Sequence, residues 1–134
     1  MSDKLTLLKD KMLHDLTGNI LPFWMERAID NKRGGWHGEI SRSGEINFNA
    51  KRSLILNMRI LWTFSAAYRV LKRPEYREMA LRAYNYVTTY FLDPGGGAYY
   101  MINADGSPAE RQKFTYAHGF ALYAFAEYAR ADGR

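Results

Sequence analysis

Cysteine is missing from all 134 residues of this chain. That excludes disulfides and thiolate metal ligands, and it suits a reducing, cytoplasmic setting. Histidine is scarce too. His14, His37 and His118 are too scattered to make a metal-ligand spacing, so neither a metal nor a cofactor is expected. Long apolar runs are also absent, because Arg59 and Arg69 interrupt the best candidate for the ~18 residues a membrane span requires. The first ten residues lack the apolar centre of a signal peptide. No phosphate-binding loop is present: Asp93-Pro94-Gly95-Gly96-Gly97 is glycine-rich, but no Lys-Ser/Thr follows it and no strand precedes it. Nor is charge of one sign concentrated. The 19 basic and 14 acidic residues leave a net charge of +5, with Lys9, Arg27, Arg42, Arg52, Lys72 and Arg82 spread along the chain. Such dispersal reads as solvated surface rather than a nucleic-acid footprint.

What is present is apolar and aromatic. Hydrophobic residues make up 47% and aromatic residues 15%, with 25% charged, which describes one globular domain over residues 1–134 with enough material for a core. From residue 4 to 29, Leu5, Leu8, Met12, Leu16 and Ile20 form an apolar stripe with lysines and aspartates between them, the pattern of an amphipathic helix. Gly18 is a possible interruption, and Pro22 is placed to start a second helical piece. A breaker-rich hairpin around Gly34-Gly35-Trp36-His37-Gly38 follows. Residues 54–71 then run without Gly or Pro and are apolar nearly all round, which reads as a buried helix with Arg59 inside it.

The order repeats. A second amphipathic stripe (Tyr76, Met79, Ala80, Ala83, Val87, Tyr90) precedes a second glycine-rich hairpin and a second nearly all-apolar segment from Phe114 onward. Gly34-Gly35 aligns with Gly96-Gly97, Ile40 with Ile102, and Gly44 with Gly106, each at an offset of 62. Two copies of one unit are therefore expected, over about residues 4–72 and 74–132, each an outer helix, a hairpin and an inner helix. The fold class expected is all-α, with about four main helices. Outer-inner alternation winds two concentric layers, and a ring of about six such pairs would need roughly 370 residues at this period.

The stretches Ile20-Leu21-Pro22-Phe23-Trp24, Gly34-Gly35-Trp36, Asn57-Met58-Arg59-Ile60-Leu61-Trp62, Gly96-Gly97-Ala98-Tyr99-Tyr100-Met101 and Lys113-x-x-Tyr116-x-x-x-Phe120 resemble the N-terminal third of the N-acylglucosamine 2-epimerase family, most of all its cellobiose 2-epimerase branch. The resemblance implies an (α/α)6 barrel whose central cleft epimerises or isomerises sugars without a metal or nucleotide. Its reaction opens the sugar ring, removes the proton beside the carbonyl and returns it to the other face or a neighbouring carbon. A base near neutral pKa does this work, and a fixed cation meets the enediolate oxygens. By resemblance Arg59 is that cation, while Tyr116, Trp62 and Asn57 are candidate substrate-binding residues. The family's general-base histidines lie on later inner helices and are not among these residues, so the expectation is a chain that is inactive alone. A mono- or disaccharide of the cellobiose, mannose or N-acylhexosamine type is the implied ligand.

The residues also carry plainer readings. Arg59 reads equally as a structural arginine paired with a carboxylate, and Trp62 as core. His118 is rotated away from Tyr116 and reads as a hydrogen-bonded structural histidine. His14 reads as solvated, and His37 as a loop histidine at the cleft mouth. A rival from another class is a non-catalytic truncated or engineered repeat module that self-associates through an open repeat edge, with three copies completing six hairpins. A third is a glycan hydrolase of the same barrel type, which needs paired carboxylates where the inner helices offer only Glu127.

Overall fold

The structure, a computed structural model, describes residues 3–133. The readings made of Met1, Ser2 and Arg134 at the chain's two ends lie outside the described residues.

The chain opens with α1 (Asp3–Asp15) and continues through two wider π-helical turns, Leu16–Ile20 and Phe23–Arg27, on either side of Leu21 and Pro22. Pro22 has no N–H to give the ladder, and π-helical turns absorb such local interruptions. The expected helix is present, but its stripe is not packed. α1 has no buried residue, and Leu5, Leu8 and Met12 are exposed. Burial begins only at Leu21.

α2 (Leu54–Leu71) has the bounds that the lack of Gly and Pro suggested. Ser53 caps it by accepting from the Leu56 N–H at 3.1 Å, and Lys72 closes it in the left-handed conformation. α3 (Pro74–Tyr90) begins on a proline at its first position, and α4 (Thr115–Asp132) ends at left-handed Gly133. α2 lies against both α3 and α4. The core is centred on Leu54, Met58, Leu61 and Phe64 of α2, with Trp36 below and Tyr76, Ala80, Ala83 and Val87 from α3.

Each pair of long helices is joined across a hairpin, and the two hairpins share their hydrogen bonds. Ser41 N–H donates to Glu45 O and Gly44 N–H to Ser41 O. In the second hairpin Asn103 N–H donates to Ser107 O and Gly106 N–H to Asn103 O. Ile40 bridges Ile46, as Ile102 pairs with Pro108. The small sheet that the all-α expectation did not include comes from their junction: β1 (Arg52–Ser53) pairs antiparallel with β2 (Met101–Ile102), which pairs with β3 (Pro108–Glu110). Among the described residues no helix is long and apolar enough to cross a membrane.

Candidate functional site

Both hairpins sit at the N-terminal ends of α2 and α4, so residues in the first turns of these helices face the same end of the molecule. Arg59 lies there, but it is exposed, not buried as the helix pattern suggested. Its guanidinium stands over the Phe120 ring of α4, 5.0 Å from the centroid. Among the described residues no carboxylate lies within ion-pair distance of it. The carboxylate pairing of the plainer reading is thus not seen for Arg59 among the described residues.

Arg59 lines a hollow of about 280 Å³ with Met58, Trp62, Thr63, Phe120 and Tyr123. Trp62 and Tyr123 stack across it, centroids 5.2 Å apart and planes 10° from parallel. A second hollow of about 320 Å³ adjoins it, lined by Tyr116, Gly119, Phe120 and Tyr123. Tyr116 meets Phe120 edge-on at 5.1 Å and is 67% exposed. The structure thus brings Arg59 and Trp62 into one wall and joins Tyr116 to it through Phe120. Asn57 is not brought there. It is 1% exposed, and its Nδ2 donates to the Ser53 carbonyl at 2.9 Å. It does not line the hollow, and its buried Oδ1 has no hydrogen-bond partner.

Phe120 and Tyr123 are wall residues that periodicity alone assigns to the core. The signal that could have found Phe120 is its place in the Lys113-x-x-Tyr116-x-x-x-Phe120 motif, with Tyr123 one turn further on the same face. His118 keeps its structural reading: Ala98 N–H donates to Nε2 at 3.0 Å, so Nδ1 carries the proton and donates to Phe114 O at 2.9 Å. Glu127 is buried and held by Arg69 at 2.6 Å, with Arg130 at 3.8 Å. Each of its carboxylate oxygens thus faces a guanidinium.

The buried arginine of this fold is Arg52, taken in sequence for surface. It is 1% exposed and forks between Asp30 (Nη2 to Oδ2, 2.5 Å), Gly34 O (2.6 Å) and Tyr86 Oη (2.7 Å). Arg82 donates to the Asp30 carbonyl at 2.7 Å. Burial would raise the Asp30 carboxyl, but the Arg33 and Lys32 amides and the Arg52 guanidinium outweigh it and hold the group below its ordinary value. Burial pushes the Tyr86 phenol up, against the pull of Arg52. His37 is buried beside this cluster, its Nδ1 without a hydrogen-bond partner and 3.7 Å from Asp30 Oδ2. A cavity of about 440 Å³ opens there between Asp30, Lys32, Arg33, His37 and Phe48. Among the described residues no group of histidines and carboxylates is placed to hold a metal ion.

The helices and their hairpin junction have the arrangement of part of a helical barrel. The sequence matches the N-acylglucosamine 2-epimerase family over residues 28–134, and the chain belongs to that family. It is 48% identical to a cellobiose 2-epimerase of Bacteroides fragilis over 95% of this chain and 33% of the relative. It is 36% identical to one of Ruminococcus albus over the same shares. The solved cellobiose 2-epimerase of Spirochaeta thermophila superposes with a TM-score of 0.92 at 34% identity, over 98% of this chain and 32% of that one. The chain spans about a third of the length of the curated relatives it matches.

Proposed function

We propose that these residues form the arginine-bearing wall of a sugar cleft, for epimerisation or isomerisation at C2 through an enediolate. One observation carries the reading: Arg59 is an exposed guanidinium with no carboxylate partner among the described residues, set over the Phe120 ring in a hollow shared with Trp62 and Tyr123. A sugar offers the complementary surfaces, because its C–H faces stack on aromatic rings while its oxygens take charged donors. When a proton leaves C2 of the open-chain sugar, negative charge develops on the C1 and C2 oxygens. A guanidinium already held in place by Phe120 stabilises that charge without reorganising. Trp62 and Tyr116 are assigned the sugar faces. Asn57 is assigned a positioning role, fixing the first turn of α2 through Ser53. The relatives named as cellobiose 2-epimerases favour a β-linked glucose disaccharide as the ligand.

A proton at C2 needs a base, and the wall around Arg59 holds none. These 134 residues alone are therefore assigned binding without turnover. The test is NMR in deuterated buffer with cellobiose. The expected result is a shift of the Trp62 indole on titration, weakened at least tenfold in Arg59→Ala, with no deuterium entering C2 above the buffer rate. Exchange at C2 that disappears in Arg59→Ala would overturn the assignment of inactivity. An indole that never responds to the sugar would overturn the binding wall.

A further inference from the structure

We propose that His118 is a proton-operated latch: neutral, it fastens the second hairpin to the first turn of α4, and on protonation it lets go. The two inner helices start differently. Ser53 caps α2 with its side chain, but Phe114 stands before α4 and offers no side-chain acceptor. His118 makes the connection there instead. Its ring nitrogens have opposite duties: Nε2 accepts from the Ala98 N–H at 3.0 Å, and Nδ1 donates to Phe114 O at 2.9 Å. Only a neutral imidazole with its proton on Nδ1 does both. Leu56 stands 62 residues before His118, so the first repeat has no such latch.

Protonation places a second N–H on Nε2, aimed at the Ala98 N–H. Two donors then face each other, and the amide of a buried residue loses its acceptor. The fit is close, since a Cβ on the neighbouring Gly97 would stand 2.8 Å from Nε2.

The surrounding charges do not offset the added one. Among the described residues no carboxylate lies within ion-pair distance of His118. The nearby hairpin carboxylate, Asp93, is held by Lys113 at 2.8 Å. Lys113 first, then the Gly95 amide, and also the Tyr99 phenol keep that carboxyl below its ordinary value, so it stays ionised in mild acid. Arg111 lies over the Tyr99 ring, and from α2 the Arg59 guanidinium reaches α4 at Phe120. On α4 itself, Phe114, Thr115, Ala121 and Leu122, one turn to either side, carry no charge. Histidine is the side chain that changes charge between neutral and mildly acid pH, and none of these neighbours does. The latch is built from contacts inside the second repeat and uses no residue of the Arg59 wall. It therefore stands or falls separately from the sugar assignment.

NMR on the isotope-labelled chain tests this. At about pH 7.5 the His118 ring is expected to carry its proton on Nδ1. On acidification to about pH 5, the exchange protection of the Ala98 amide, corrected for its intrinsic rate, is expected to fall at least tenfold. Protection of Met58–Phe64 is expected to hold over the same change. In His118→Gln, whose side chain does not titrate, Ala98 protection is expected to be equal at the two pH values. A His118 proton on Nε2 at neutral pH would overturn the latch. So would Ala98 protection that survives acidification, a loss shared by Met58–Phe64, or an equal loss in His118→Gln.

Discussion

Asp30 and Arg52 hold the first hairpin to the body, and they show how a charged pair survives burial. Asp30 accepts from the backbone at Lys32 and Arg33 (both 2.9 Å) as well as from Arg52, so few of its lone pairs lack a donor. Its carboxyl is held below the ordinary carboxylate value. A depressed carboxyl contributes stability that is present above the unfolded value, about 3.9, and is lost as pH falls through the folded value. Asp93 and Asp105 are also depressed, by Lys113 and by Ser107 respectively, and share that acid window. The comparison that isolates Asp30 is urea unfolding of wild type against Asp30→Asn. At neutral pH the variant is expected to be about 3 kcal/mol less stable, because the buried Arg52 guanidinium loses its counter-charge. The gap should narrow as the wild type approaches pH 3. A gap independent of pH would show that the Asp30 charge does not matter.

At the scale of elements, the hairpins depend on glycines for two separable reasons. Gly35 has φ +62, and a Cβ there would stand 2.6 Å from the Tyr86 ring, which Arg52 pins from the other side. Gly96 has φ +99, but its Cβ would meet nothing within 4 Å. Gly96→Ala is expected to cost about 1 kcal/mol for the left-handed backbone alone. Gly35→Ala adds displacement of a buried ring, for a total of roughly 3 kcal/mol. Thermal unfolding of the two variants decides it, and equal losses would mean that the Tyr86 contact is soft. The paired glycines were legible in sequence because left-handed turns leave few alternatives. The extent of α2 was legible too, as a nearly all-apolar run over residues 54–71 without Gly or Pro. What was not legible was which apolar face had a neighbour. Periodicity reports that α2 and α4 are apolar on most sides, but burial depends on what is packed there, so Arg59 was expected to be buried where it is exposed. Arg52 was missed for the opposite reason: its partners Asp30, Gly34 and Tyr86 lie 18 to 34 residues away, and no local pattern marks them.

The whole molecule is organised around α2, which α3 and α4 cover on one side, while α1 stands clear of the body. This unevenness predicts a gradient of local stability. A 13-residue helix with no buried residue has little beyond its own propensity to hold it, and isolated helices of that length are marginal in water. Amides in regions with few buried contacts open locally at low cost, whereas those in the core exchange only on global unfolding. Hydrogen exchange reads this directly. Residues 4–15 are expected to exchange close to the unprotected rate, and the Met58–Phe64 stretch of α2 at the rate of global opening. Leu5, Leu8 and Met12 are exposed on α1, so no buried contact slows the opening of that helix. Equal protection of α1 and α2 would mean that α1 is held by contacts beyond its own turns, against its exposure in this structure.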